Sequence, residues 1–121
     1  MADPERIRVC HVLEATEGGT RQYLSDLCLG LPADRFEQTA VVSTLRTAEF
    51  EADIERMREA GVCVEIIQMV REVSRVEDTR AYRELLAFFR GNSFDIIHTH
   101  SSKAGMLGRF AAWRSHSRAL R

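Results

Sequence analysis

Phe94-Asp95-Ile96-Ile97-His98-Thr99-His100-Ser101-Ser102-Lys103-Ala104-Gly105-Met106-Leu107-Gly108 is the stretch whose reading decides the fold. Phe94, Ile96 and Ile97 form a short apolar run after Gly91-Asn92, a pattern that predicts a strand covered on both faces. The polar turn that follows holds His98, Thr99, His100, Ser101, Ser102 and Lys103: two imidazoles, three hydroxyls and an ammonium. Ser101 or Ser102 suits the N-cap of a helix, because a serine hydroxyl accepts an unpaired amide hydrogen of the first turn. Leu107, Phe110 and Ala111 then share the i, i+3, i+4 face of that helix. Strand, polar turn and helix N-terminus is how open α/β sheets build ligand sites, above all sites for anions.

Outward from this stretch the same unit recurs. Residues 6–13 read as a central strand, with Ile7, Val9, Cys10, Val12 and Leu13 apolar toward both faces. Residues 14–19 form the loop after it, ending in Gly18-Gly19, with Thr20 placed to cap a helix. That helix carries Leu24, Leu27, Cys28 and Leu31 on one face, and Gly30 and Pro32 end it. Residues 36–43 give a second strand. A second helix follows with Phe50, Ile54 and Met57 on one face, stopped by Gly61. Residues 62–69 read as the third strand and 70–78 as a charged connection. The third helix has Tyr82, Leu85, Leu86 and Phe89 on its apolar face. Four strand–helix alternations predict an α/β fold: a Rossmann-like parallel sheet with right-handed crossovers and strand order 3-2-1-4. In that order ligands bind where the direction reverses, between strands one and four, and the loops opening there are residues 14–20 and 98–103.

The 121 residues suffice for one domain, residues 1–121, with its own core. An apolar fraction of 45%, a charged fraction of 29% and a net charge of −1 exclude a basic nucleic-acid footprint. No apolar run approaches the ~20 residues of a membrane span, and the charged start, Met-Ala-Asp-Pro-Glu-Arg, has no signal-peptide core. Cys10, Cys28 and Cys63 are odd in number and lie in apolar segments. They read as reduced core residues of a cytoplasmic protein.

Gly18-Gly19-Thr20 admits two readings: a phosphate- or sugar-binding backbone at a helix start, or a plain tight turn. A nicotinamide site fits neither the glycine spacing nor Ser43-Thr44 at the end of strand two, and no P-loop Gly-Lys-Ser/Thr occurs. His98 and His100 share a face if the strand persists; they serve either a substrate or the core. A metal needs a third ligand, and this loop has no Cys, Asp or Glu, so no metal and no cofactor is expected. Lys103 opposes the helix dipole, as the partner of an anion or as a solvated side chain. Cys10 and His11 fall within the first strand and read as core. Glu49, Glu51, Asp53 and Glu55 read as a solvated helix face.

His11-Val12-Leu13-Glu14-Ala15, Gly18-Gly19-Thr20-Arg21, His98-Thr99-His100-Ser101-Ser102-Lys103-Ala104-Gly105, Leu107-Gly108-Arg109 and Ala111-Ala112 together resemble the N-terminal half of group 1 (family 4) glycosyltransferases. The closest flavour is that of bacterial surface-polysaccharide assembly, and the likeness spans residues 6–114. The resemblance implies a GT-B enzyme of two Rossmann-like domains, with this chain the acceptor-side one, incomplete at its C-terminus. It implies sugar transfer with retention, from a nucleotide-sugar donor to a glycan or lipid-linked acceptor, and no bound metal. The partners it implies are those substrates and a missing C-terminal domain, with peripheral membrane association through the acceptor. Gly18, Gly19 and Thr20 would then approach the donor diphosphate, and His98, His100, Ser101, Ser102 and Lys103 would line the acceptor side of the cleft. No catalytic residue is assigned. The competing readings are a non-catalytic α/β module for a small anionic ligand or a protein partner, and an inactive truncated fragment.

Overall fold

Strands and helices alternate as β1 (Ile7–Leu13), α1 (Gly18–Gly30), β2 (Phe36–Val42), α2 (Phe50–Glu59), β3 (Cys63–Ile66), α3 (Arg75–Gly91), β4 (Ile96–Thr99) and α4 (Ser102–Ala119) in the computed structural model. It describes residues 6–14, 18–44, 50–70, 73–100 and 102–119, and the side chains of 18–20, 102–104 and 116–119 lie outside the description. All strand pairs are parallel and the order is β3-β2-β1-β4, as the alternation predicts. No helix among the described residues is long and apolar enough to cross a membrane.

The sheet separates two apolar layers. Cys10, Val12 and Val41 point to the side packed by Leu85 and Phe89 of α3 and by Leu107 and Ala111 of α4. Leu13, Ala40 and Val42 point to the opposite side, against Leu24 of α1 and Phe50, Ile54 and Met57 of α2. The alternation along β1 follows from the two-residue period of a strand. It places His11 on the α1/α2 side.

Several sequence readings need correction. Strand four is residues 96–99 and leaves out Phe94, and as an edge strand it is not covered on both faces: Ile96 is 48% exposed. Phe94 is buried just before it, stacked on Phe88 with ring centroids 5.8 Å apart. Its entry is pinned by Asp95, whose amide donates to Arg8 O and whose carboxylate accepts from Arg8 N, both at 2.8 Å. The other edge, β3, keeps four residues of the expected eight, and Cys63 is exposed there while Cys10 and Cys28 are buried. Burial raises both buried thiols, Cys28 to about 12, so neither is a thiolate nucleophile at neutral pH.

Helix starts also move. α3 begins at Arg75, inside the expected connection, because Ser74 Oγ accepts the Glu77 amide at 3.2 Å and Asp78 accepts the Ser74 amide at 3.1 Å. α1 begins at Gly18, so Thr20 is its third residue and not its cap. Asp53 is not on a solvated face. It is 3% exposed, takes Arg21 Nε of α1 at 2.6 Å and also pairs with Arg56. Burial alone would raise its carboxyl, but the Arg21 and Arg56 hydrogen bonds outweigh that and hold it below the usual range. Phe110 leaves the core face of α4: it is 55% exposed and meets Tyr82 and Trp113 edge-on. Gly61 ends α2 as expected, with φ +93°.

α4 reaches the sheet through glycine. A Cβ at position 108 would stand 3.0 Å from Thr99 Cγ2 and 3.7 Å from Val12 Cγ1, whereas one at 105 would meet only Thr99 Oγ1 at 3.7 Å. Thr99 is β-branched and part of the ladder, so it yields little. Gly108→Ala is therefore expected to destabilise by about 1–2 kcal/mol despite its helix propensity. Gly105→Ala should instead stabilise by up to about 1 kcal/mol. Thermal melts of the two variants should move in opposite directions, by roughly 4 °C per kcal/mol.

Candidate functional site

β1 and β4 lie side by side in parallel register, Val9 opposite Ile96, Cys10 opposite Ile97 and His11 opposite His98. Registered residues of parallel neighbours share a face, and a two-residue step returns to that face. His11, His98 and His100 must therefore converge. The ring centroids lie 4.1 Å apart for His98–His100, 5.4 Å for His11–His100 and 5.9 Å for His11–His98. The ladder runs on past β4, with the His100 amide donating to Val12 O at 3.0 Å. Tyr23 of α1 covers the group from outside, 5.5 Å from His100 by ring centroids.

The tautomer of His11 follows from its neighbours. Gln38 Nε2 donates to Cys28 O at 3.0 Å, which turns Gln38 Oε1 toward His11 Nε2 at 3.1 Å. A carbonyl oxygen only accepts, so Nε2 carries the proton and Nδ1 holds a bare lone pair. That lone pair faces His100 Nε2 at 3.3 Å. His100 is then the donor, protonated at Nε2.

Burial disfavours the charged form of both rings. His11 is held below the ordinary imidazole range first by burial, against which the Gln38 hydrogen bond works, and then by His98. His100 is pushed down to about 4 by burial, then by His98 and His11. At neutral pH these two are uncharged hydrogen-bonding groups.

The helix starts complete the site. Gly18 and Gly19 form the opening turn of α1, where the first amides have no partner within the helix. Ser102 and Lys103 open α4 just past His100. Ser101 lies outside the described residues. The helix dipole at both starts favours an anion at the carboxyl end of β1 and β4. Thus Gly18, Gly19 and Thr20 in the opening turn of α1, and Ser102 and Lys103 in that of α4, follow strands that are direct neighbours. The sequence reading puts His11 with the core, where it is buried, but does not single out Gln38 or Tyr23. A usable signal existed: order 3-2-1-4 makes strands one and four neighbours, and each carries a histidine near its carboxyl end.

The family model described as "Glycosyl transferase 4-like domain" matches residues 18–120. The chain belongs to that family. It is also similar to an Escherichia coli enzyme, UDP-Gal:alpha-D-GlcNAc-diphosphoundecaprenol alpha-1,3-galactosyltransferase, with 41% identity over 44 residues. That match covers 36% of this chain and 11% of the enzyme's length. The Rossmann-like sheet and family membership together make this a glycosyltransferase domain of the N-terminal kind.

The neutral rings set a pH dependence. An imidazole whose pKa is lower folded than unfolded binds more protons when unfolded, so its contribution is present above the unfolded value, about 6.5. It is lost as pH falls toward the folded value, about 4 for His100. In metal-free buffer, stability is expected to fall steadily from about pH 6.5 to about pH 4. Denaturant melts across that window check this, and NMR titration should place the His100 midpoint far below that of a free histidine.

Proposed function

We propose that this chain is the acceptor-side domain of a retaining glycosyltransferase that moves a sugar from a nucleotide donor to a glycan or lipid-linked acceptor. The observation that supports the reading is that β1 and β4 are direct neighbours, so that α1 and α4 follow adjacent strands beside His98 and His100, in a chain of this family. In this reading the amides of the α1 opening turn, at Gly18 and Gly19, stabilise negative charge on the leaving diphosphate, as donors aimed at developing charge do. His98 and His100 are hydrogen-bonding groups for acceptor hydroxyls, and Ser101, Ser102 and Lys103 position the acceptor or its phosphates. The transfer step itself uses no metal. The lipid-linked acceptor is suggested by the Escherichia coli relative, whose name carries a diphosphoundecaprenol acceptor. Such an acceptor would bring the domain to a membrane surface from the cytoplasmic side. The nucleotide-sugar lobe of the GT-B pair would face this one across the cleft.

Titration of isotope-labelled protein with UDP and with GDP tests the reading. Amide shifts should concentrate at 18–20 and 98–103, and Gly19→Val should weaken them because a branched side chain obstructs approach to the backbone. Shifts confined to distant arginines would defeat the proposal. Positioning donor against acceptor supplies roughly 7–11 kcal/mol of barrier lowering in such reactions. One wall of a cleft cannot supply it. The 121 residues alone are therefore expected to release no nucleotide diphosphate from a panel of sugar donors, with or without lipid-linked acceptors.

A further inference from the structure

Three imidazoles from two strands meet at one point of the fold. We propose that His11, His98 and His100 form a binding site for a borderline divalent cation of the zinc, cobalt and nickel class. The expectation of no metal rested on a loop with only two ligands. The sheet register supplies the third from β1, 87 positions away in sequence from His98.

The geometry fits such an ion. One ring nitrogen of each residue lies within 4.8 Å of the other two, and His11 Nδ1 is 3.3 Å from His100 Nε2. Metal–nitrogen bonds of about 2.0–2.1 Å in a tetrahedron put ligand nitrogens about 3.3–3.4 Å apart. The His11–His100 edge already has that length. The remaining edges, at most 4.8 Å, close by side-chain movement of roughly an ångström, chiefly at the half-buried His98. An all-imidazole set selects zinc, cobalt, nickel or copper and offers calcium and magnesium no oxygen. Three protein ligands leave a fourth position for water.

A second, independent feature points the same way. Ligating histidines hold their other ring N–H against an oxygen that fixes tautomer and orientation. Gln38, 6% exposed and anchored on Cys28 O, does this for His11 and aims the bare Nδ1 at the site. Without a cation, the His100 Nε2 proton fills that lone pair. On binding, His100 moves its proton to Nδ1 and offers Nε2 to the ion. Both forms of His100 are neutral, so its ligation takes up no proton and releases none. A bound ion ties the exit of β4 to β1 at the carboxyl end of the sheet.

The test uses the tag-free chain and cobalt(II), with no sugar nucleotide, so its outcome is separate from that of the transferase reading. One equivalent should give the intense visible absorption of four-coordinate cobalt, and zinc should abolish it by displacement. His98→Ala and His100→Ala should each weaken cobalt binding at least about tenfold, since even the loss of a residue that only supports a ligand costs about 10–100-fold. Cys63→Ser and His116→Ala should leave the spectrum unchanged. Should a histidine variant fail to fold, ring-nitrogen NMR of the unsubstituted protein decides. Zinc should shift His11 Nδ1 and one ring nitrogen each of His98 and His100. No cobalt band at millimolar metal, a band indifferent to both histidine variants, one lost with His116→Ala, or unmoved ring resonances at saturating zinc would overturn the proposal.

Discussion

The parallel register between β1 and β4 is the constraint on which the site depends. With His11 opposite His98, one face of two adjacent strands collects three imidazoles at the carboxyl end of the sheet. A slip of one residue would turn the β4 histidines to the α3/α4 side, because side chains alternate faces. Polar contacts hold the register at both ends: Arg8 with Asp95 where β4 enters, and the His100 amide on Val12 O where it leaves. Gly108 lets α4 lie close against Thr99 and Val12 from the other side of the sheet, so the strand is seated from beneath as well.

Electrostatics divides the labour between rings and helix starts. Burial keeps His11 and His100 neutral, so they contribute lone pairs and N–H groups but no charge. What favours an anion at this end of the sheet is instead the dipole of α1 and α4, whose opening turns have amides without a partner inside the helix. α1 is held in place by the buried Asp53 of α2, which grips Arg21. Two residues farther along the helix, Tyr23 lies over His98 and His100. A buried ion pair adds little net stability, but removing one partner would leave a buried charge. Its plain consequence here is orientational: it couples the α1–α2 packing to the roof of the histidine cluster.

The sequence by itself determined the architecture. Apolar runs at residues 6–13 and 36–43, helical faces such as Phe50, Ile54 and Met57, and the stop at Gly61 report local periodicity and local backbone preference. Those are enough to specify four parallel strands in the observed order. The family likeness was also legible, since it rests on contiguous blocks such as residues 98–105. The pair His98 and His100 could be read as one face, because a two-residue step is a local property of a strand.

Only the tertiary structure decided what depends on contacts between distant residues. His11 read as core because a histidine in an apolar run gives no sign of what lies across the ladder; its partners are 27 and 89 positions away. Asp53 read as solvated because its neighbours in the chain are acids, and the arginine of α1 that buries it is 32 positions off. Phe110 and Cys63 carry apolar side chains whose exposure follows from lying outside the helix–sheet contact and on an edge strand. Periodicity marks which face of an element is apolar, whereas burial, pairing and charge at a given residue are set by whatever the fold brings against it.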